Sequence, residues 1–113
     1  MVLVIAKDWK LRTAVQAELR ERRIDALAMD SVEAVERVLA SGDLPSVVVL
    51  EATAEYSGQP AIQRLVARVP TILIASRTET VQLPQVAGVF YRPVSVAEIA
   101  EKVSELLARG QNA

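Results

Sequence analysis

Short runs of apolar residues alternate along the chain with segments whose apolar residues recur every three or four positions. The first pattern is typical of buried strands and the second of amphipathic helices. The predicted strands are Val2–Ile5, Ala26–Met29, Ser46–Leu50, Thr71–Ile74 and Val89–Tyr91. Because helical segments separate these strands, the pattern predicts an α/β fold with a five-stranded parallel sheet, doubly wound by helices on both faces.

Polar residues mark the predicted helix starts. Asp8 precedes the first helical segment, and residues 30–33 and 95–98 have the pattern of capping boxes. We predict a loop over residues 52–58, before the third helix. The stretch from Ser76 to Gly88 has weak helical periodicity and an interior proline, so the fourth helix is predicted to be short or missing.

The length of 113 residues suits one domain, predicted over residues 1–110, with 111–113 as a tail after a helix stop at Gly110. Apolar residues make up 51% of the chain, which is enough for a core. The chain has no Cys and no His, which excludes Cys and His nucleophiles, the usual zinc sites and His phosphotransfer.

Charge and hydropathy restrict the classes of partner that the protein is expected to bind. Thirteen basic and fourteen acidic residues give a net charge of −1, so the basic surplus of a nucleic-acid binder is absent. No apolar stretch has the ~20 residues of a membrane span, and Met1 leads into the first strand without a basic leader segment. We therefore expect a cytoplasmic protein that binds neither nucleic acid nor membrane.

The sequence Gly88-Val89-Phe90-Tyr91-Arg92-Pro93 resembles the Gly-x-x-x-Lys-Pro motif of the receiver domains of two-component response regulators. Two weaker similarities are Asp8 after the first strand and Glu51 at the end of the third. The resemblance covers nearly the whole chain and is mostly architectural. It implies a flavodoxin-like fold with strand order 2-1-3-4-5 and a cis bond between Arg92 and Pro93.

The resemblance also implies where a phosphorylation site would lie. In the family, two acids hold Mg²⁺, an Asp accepts the phosphoryl group, a Thr or Ser ends the fourth strand and a Lys precedes the Pro. The matching positions here hold Ala6 and Lys7 for the acidic pair, Glu51 for the acceptor, Ala75 for the hydroxyl residue and Arg92 for the lysine. Asp8 lies one residue beyond the acidic pair.

These replacements disfavour phosphoryl chemistry. Mg²⁺ needs oxygen ligands, whereas Ala6 offers no side-chain oxygen and Lys7 brings a positive charge. The extra methylene of Glu51 displaces an attacking oxygen, and a misplacement of ~1 Å can cost ~100-fold in rate. The sequence thus predicts a degenerate phosphoacceptor pocket with no catalytic, metal or cofactor-binding residue, formed by Lys7, Asp8, Glu51, Ala75 and Arg92.

Glu51 has three open interpretations. It pairs with Lys7, Arg92 or both; or it is a solvated strand end; or it retains metal or phosphate chemistry. Trp9 and Tyr56 flank the same region and form a possible interaction rim, although Trp9 packing over the first helix is equally open.

The sequence is best interpreted as a non-enzymatic pseudo-receiver that acts by protein–protein interaction, independently of phosphorylation, in a bacterial two-component-type pathway. One alternative is an atypical phosphoacceptor that uses Glu51 or Asp8. The other is a small α/β ligand-binding domain of unrelated function. No cofactor is expected, the protein partner is not identified, and a homodimer stays open.

Overall fold

The computed structural model describes residues 1–78 and 86–111 of the chain. Its sheet has five parallel strands in the order β2-β1-β3-β4-β5, which confirms the predicted fold class and strand order. Glu51 and Ala75 belong to their strands, since they pair with Ile74 and Tyr91, so these two strands end one residue later than predicted. The strands are β1 (Val2–Ile5), β2 (Ala26–Met29), β3 (Val47–Glu51), β4 (Thr71–Ala75) and β5 (Gly88–Tyr91).

The described residues contain five helices. Ser31 caps α2 through a hydrogen bond from the Ala34 N–H, so the capping box predicted from Asp30 is displaced by one residue. The fourth helix, predicted to be short or missing, belongs to the stretch from Ser76 to Gly88, of which residues 79–85 lie outside the described part. No helix in that part is long and apolar enough to span a membrane. The helices are α1 (Trp9–Glu21), α2 (Val32–Ser41), α3 (Ala54–Ser57), α4 (Pro60–Arg68) and α5 (Val96–Gln111).

Two predicted irregular segments are helical. The expected loop over residues 52–58 contains α3, because the Thr53 hydroxyl accepts a hydrogen bond from the Tyr56 N–H and caps a single turn. The predicted stop at Gly110 is wrong, since α5 continues to Gln111. A glycine costs only about 1 kcal/mol in a helix, which a helix anchored by buried Ile99, Val103 and Leu106 tolerates. Of the predicted tail, residues 112–113 lie outside the described part.

The core is divided by the sheet into two layers. Alternate side chains of β1 point to opposite faces: Val2 and Val4 pack with α1 and α5, whereas Leu3 and Ile5 pack with α2 and α4. Every residue of β1, β3 and β4 is buried, as expected for central strands covered on both faces.

The connections that follow β1 and β3 lead towards opposite edges of the sheet. The chain passes from β1 through α1 to β2 on one side, and from β3 through α4 to β4 on the other. In doubly wound sheets a crevice opens at such a switch point, beyond the carboxyl ends of the strands. Here that position lies between the loop after Ile5 and the end of β3 at Glu51.

Candidate functional site

Glu51 is the buried acid at the switch point. Its side chain is 10% exposed, and Glu51 and Thr71 are the polar residues buried among those described. The strand register places Leu50 beside Ile5, so Glu51 faces the first residues of the loop that follows β1. A buried carboxylate requires compensating donors, and this loop supplies two of them.

Three donors converge on the Glu51 carboxylate. Its Oε1 accepts hydrogen bonds from the backbone N–H groups of Lys7 at 2.7 Å and Asp8 at 3.2 Å. Its Oε2 accepts a hydrogen bond from Arg92 Nη2 at 2.5 Å. The predicted ion pair between Glu51 and Arg92 is therefore present, and the interpretation of Glu51 as a solvated strand end is wrong.

Asp8 serves as a helix cap beside this pair. Its Oδ1 accepts hydrogen bonds from the N–H groups of Lys10 at 3.0 Å and Leu11 at 3.3 Å, and its Oδ2 lies 3.3 Å from Arg92 Nη1. The hydrogen bond from the Leu11 N–H is the largest cause of the lowered pKa of Asp8, whose ordinary value is 3.8. Desolvation, the next largest effect, opposes it, and the contacts with Lys10 and Arg92 lower the pKa further. Arg92 thus links two carboxylates through its two terminal nitrogens.

The Lys7 side chain does not pair with Glu51. Its ammonium lies 3.1 Å from a carboxylate oxygen of Glu55 in α3, and both side chains are about half exposed. Only the backbone N–H of Lys7 reaches Glu51. The Lys7 alternative for the ion pair is therefore wrong, because the loop turns the side chain away from β3 towards α3.

Tyr56 is not a rim residue. It is fully buried, and its hydroxyl donates a hydrogen bond to the Asp30 carbonyl at 2.7 Å. Burial, followed by the negative charges of Glu51 and Glu55, raises the pKa of Tyr56 well above its ordinary value. The formation of α3 turns this side chain inward, and Thr53 was the sequence signal for that helix. Trp9, 61% exposed, is the part of the predicted rim that remains at the surface.

The other matched positions carry apolar side chains. Ala6 and Ala75 are buried and take part through their backbones: Ala6 O accepts a hydrogen bond from Arg12 Nη1 at 2.8 Å, and Ala75 O accepts one from the Arg92 N–H at 2.9 Å. Arg12 was missed by the sequence analysis, because nothing in a helical Arg indicates that it folds back on the preceding strand.

The arrangement does not fit Mg²⁺. This ion is usually held by one or two carboxylates with substrate phosphates and water. Both oxygens of Glu51 already accept hydrogen bonds, and the Arg92 guanidinium lies between Glu51 and Asp8. Asp8 is further committed to the start of α1. A cation in this space would meet the charge of Arg92, so we derive no chemistry through a metal.

Two open grooves lie away from Glu51 in the described part of the chain. One, of about 460 Å³, runs between α2 and α4 and is lined by Leu39, Ala67, Arg64 and Arg68 among others. The second, of about 610 Å³, lies beside the end of α5. Charged side chains of Glu36, Arg64 and Arg68 border the first groove, and Ser46 and Arg109 border the second beside apolar residues.

Comparison with known proteins gives structural matches only. No family model matches the chain, and no curated protein matches its sequence. A response regulator receiver protein from Burkholderia phymatum superposes with a TM-score of 0.78 at 22% identity, covering 95% of this chain and 94% of that one. The receiver domain of the Francisella response regulator 1452 gives 0.77 at 20% identity, covering 96% and 97%. A CheY-like receiver domain protein from Methanospirillum hungatei JF-1 gives 0.78 at 16% identity, covering 99% and 97%.

These matches extend over essentially the whole chain and agree with the strand order of its sheet. The Arg92–Pro93 bond is cis, as the resemblance implied. The chain therefore has the fold of the response regulator receiver domains.

Proposed function

We propose that this protein is a pseudo-receiver: a non-enzymatic signalling module of a bacterial, cytoplasmic two-component-type pathway that acts by protein–protein contact without being phosphorylated. The observation that carries the proposal is the state of the Glu51 carboxylate. The residue at the acceptor position is engaged by Arg92 on one oxygen and by two backbone N–H groups on the other.

Such a carboxylate is a poor phosphoryl acceptor. Phosphoryl transfer depends on positioning and on cations that neutralise the phosphate. Here the guanidinium that could neutralise a phosphate already neutralises Glu51 and contacts Asp8. Phosphorylation would require the ion pair to break first.

Asp8 is no better placed for the alternative function. Its Oδ1 accepts two hydrogen bonds from the first turn of α1, and its Oδ2 lies against Arg92. Transfer of a phosphoryl group to either oxygen would remove a helix cap or an ion-pair contact. The geometry therefore supports phosphorylation of neither acid.

The experiment is incubation with acetyl phosphate and Mg²⁺, followed by intact-protein mass spectrometry. We expect no phosphoryl adduct, while a receiver domain with an acceptor Asp, treated in parallel, gains one. A Mg²⁺-dependent adduct that disappears in Glu51→Gln or in Asp8→Asn would overturn the proposal and support the atypical phosphoacceptor.

The partner-binding part of the proposal rests on Trp9. Trp9 is 61% exposed at the start of α1, next to the Asp8 cap, and large aromatic side chains of this kind often anchor protein interfaces. In affinity capture from a bacterial lysate, we expect Trp9→Ala to lose a protein that the unmodified chain retains. Leu27→Ala is the matched control, since Leu27 is an exposed apolar residue on the edge strand β2. Equal capture by both variants would contradict the role of Trp9.

A further inference from the structure

The donors around Glu51 form a small-anion site. Two consecutive backbone N–H groups, from Lys7 and Asp8, point to one oxygen, and the Arg92 guanidinium binds the other. Together they recognise both oxygens of one carboxylate, with a charge-assisted contact on one side. The carboxylate is largely removed from water, because the Glu51 side chain is only 10% exposed.

The two backbone donors are held in place independently of Glu51. The segment before them is fixed by the Ala6 N–H, which bonds to the Met29 carbonyl at 3.1 Å. The segment after them is fixed by the start of α1, where the Arg12 N–H bonds to the Asp8 carbonyl at 2.9 Å. Their orientation therefore belongs to the sheet and the helix, and does not depend on Glu51.

Arg92 is also held by groups other than Glu51. Its backbone N–H bonds to the Ala75 carbonyl at 2.9 Å, and its Nη1 lies 3.3 Å from Asp8. The guanidinium thus keeps an anchor beside the two N–H groups when the Glu51 carboxylate is removed.

We infer that this cluster is a built anion-binding site whose resident ligand is the chain's own Glu51. Vacated, it would bind a small monocarboxylate. Attached to β3, Glu51 acts as an intramolecular ligand at high effective concentration, so a free anion does not compete with it. This inference stands on the contacts of the site and is independent of whether the protein binds a partner or resists phosphorylation.

The space that Glu51→Ala leaves matches the size and shape of acetate. Glu51→Ala removes the Cγ methylene and the carboxylate group, and acetate has the same two carbons and two oxygens. Formate lacks the carbon that fills the Cγ position, whereas propionate adds a methylene that meets the alanine methyl group. Acetamide has the size of acetate without its charge, and its amide NH2 group is a donor that would face the donors of the site.

The test is urea denaturation of Glu51→Ala in increasing sodium acetate, with equal sodium chloride as the reference and circular dichroism as the signal. A ligand that binds only the folded state raises the midpoint progressively with its concentration. We expect acetate to raise the midpoint of Glu51→Ala more than formate or propionate does. Acetamide should have no effect, and the unmodified protein should show no acetate-specific shift.

Two further variants locate the effect. Adding Arg92→Met to Glu51→Ala should abolish the acetate response, whereas adding Lys7→Met should preserve it, because the Lys7 side chain points to Glu55. If Glu51→Ala is unfolded in chloride, acetate should restore its helical signal. The inference fails if acetate neither stabilises nor refolds Glu51→Ala, which would happen if Arg92 moved onto Asp8 in this variant. It also fails if acetate stabilises the unmodified protein as much as Glu51→Ala.

Discussion

Replacement of Arg92 by Met tests the ion pair most directly. The substitution keeps an unbranched side chain but removes the guanidinium that bonds to Glu51 Oε2 at 2.5 Å. Glu51, whose side chain is 10% exposed in the unmodified protein, then keeps only the Lys7 and Asp8 N–H groups as donors. The consequence should be a loss of free energy of unfolding, since a buried charge has lost its counterion.

The size of the loss follows from the exposure of the two partners. Removing one partner of a fully buried pair costs about 3–5 kcal/mol, whereas exposed pairs contribute about 0–1 kcal/mol. Arg92 is 35% exposed and Glu51 is 10% exposed, which places this pair between the two limits. We expect Arg92→Met to lower the free energy of unfolding by about 2 kcal/mol, which lowers the melting temperature by about 8 °C.

The assay is urea denaturation of Arg92→Met, Glu51→Gln and the double variant, followed by circular dichroism. The two single changes should not be additive, with a coupling energy of about 1–2 kcal/mol. Lys7→Met is the matched control on the same edge of the sheet, because its pair with Glu55 is 44% and 55% exposed; it should change stability by less than about 0.5 kcal/mol. Additive effects, or a loss for Arg92→Met no larger than that control, would refute the reasoning.

Further predictions concern Tyr56, Asp8 and Gly42, the residue that ends α2 in the left-handed region. Tyr56→Phe leaves the Asp30 carbonyl without its donor and should cost about 1 kcal/mol. Because the pKa of Tyr56 is raised above the ordinary 10.0, the protein should lose stability as the pH rises past that value, and titration of Tyr56→Phe should show a smaller loss. The pKa of Asp8 is lowered, so its contribution is present above pH 3.8 and is lost as the pH falls through the folded-state pKa; Asp8→Asn should flatten this acid limb in thermal melts. Gly42→Ala should cost about 1 kcal/mol because φ is +81°, whereas Gly58→Ala, with open space and a negative φ, should be near neutral in the same melts.

Local patterns of apolar residues predicted much of the fold. A strand such as Val47–Glu51, apolar on both faces, is buried wherever it lies in a parallel sheet. The alternation of such strands with amphipathic helices restricts the topology through right-handed crossovers. The position of Glu51 at a strand end, and the absence of a side-chain oxygen at Ala6 and Ala75, were likewise fixed by the order of residues alone.

The sequence predicted the short helix α3 and the end of α5 incorrectly. The inward turn of Tyr56 depends on a four-residue helix capped by Thr53, which is too short to produce helical periodicity. α5 continues through Gly110 although residues 108–110 are exposed, because extending a helix already formed by its buried turns is easy and a single glycine costs little.

The tertiary structure decided which cation neutralises Glu51. The sequence offered Lys7 and Arg92 with no means of choosing, since their distances along the chain say nothing about distances in space. Placing β1 beside β3 brings the backbone of Lys7 to the carboxylate while its ammonium turns to Glu55, and the segment after β5 delivers the Arg92 guanidinium across 41 residues of sequence. Partners of a buried charge are set by the directions in which loops leave the sheet, and those directions exist only once the strands are paired.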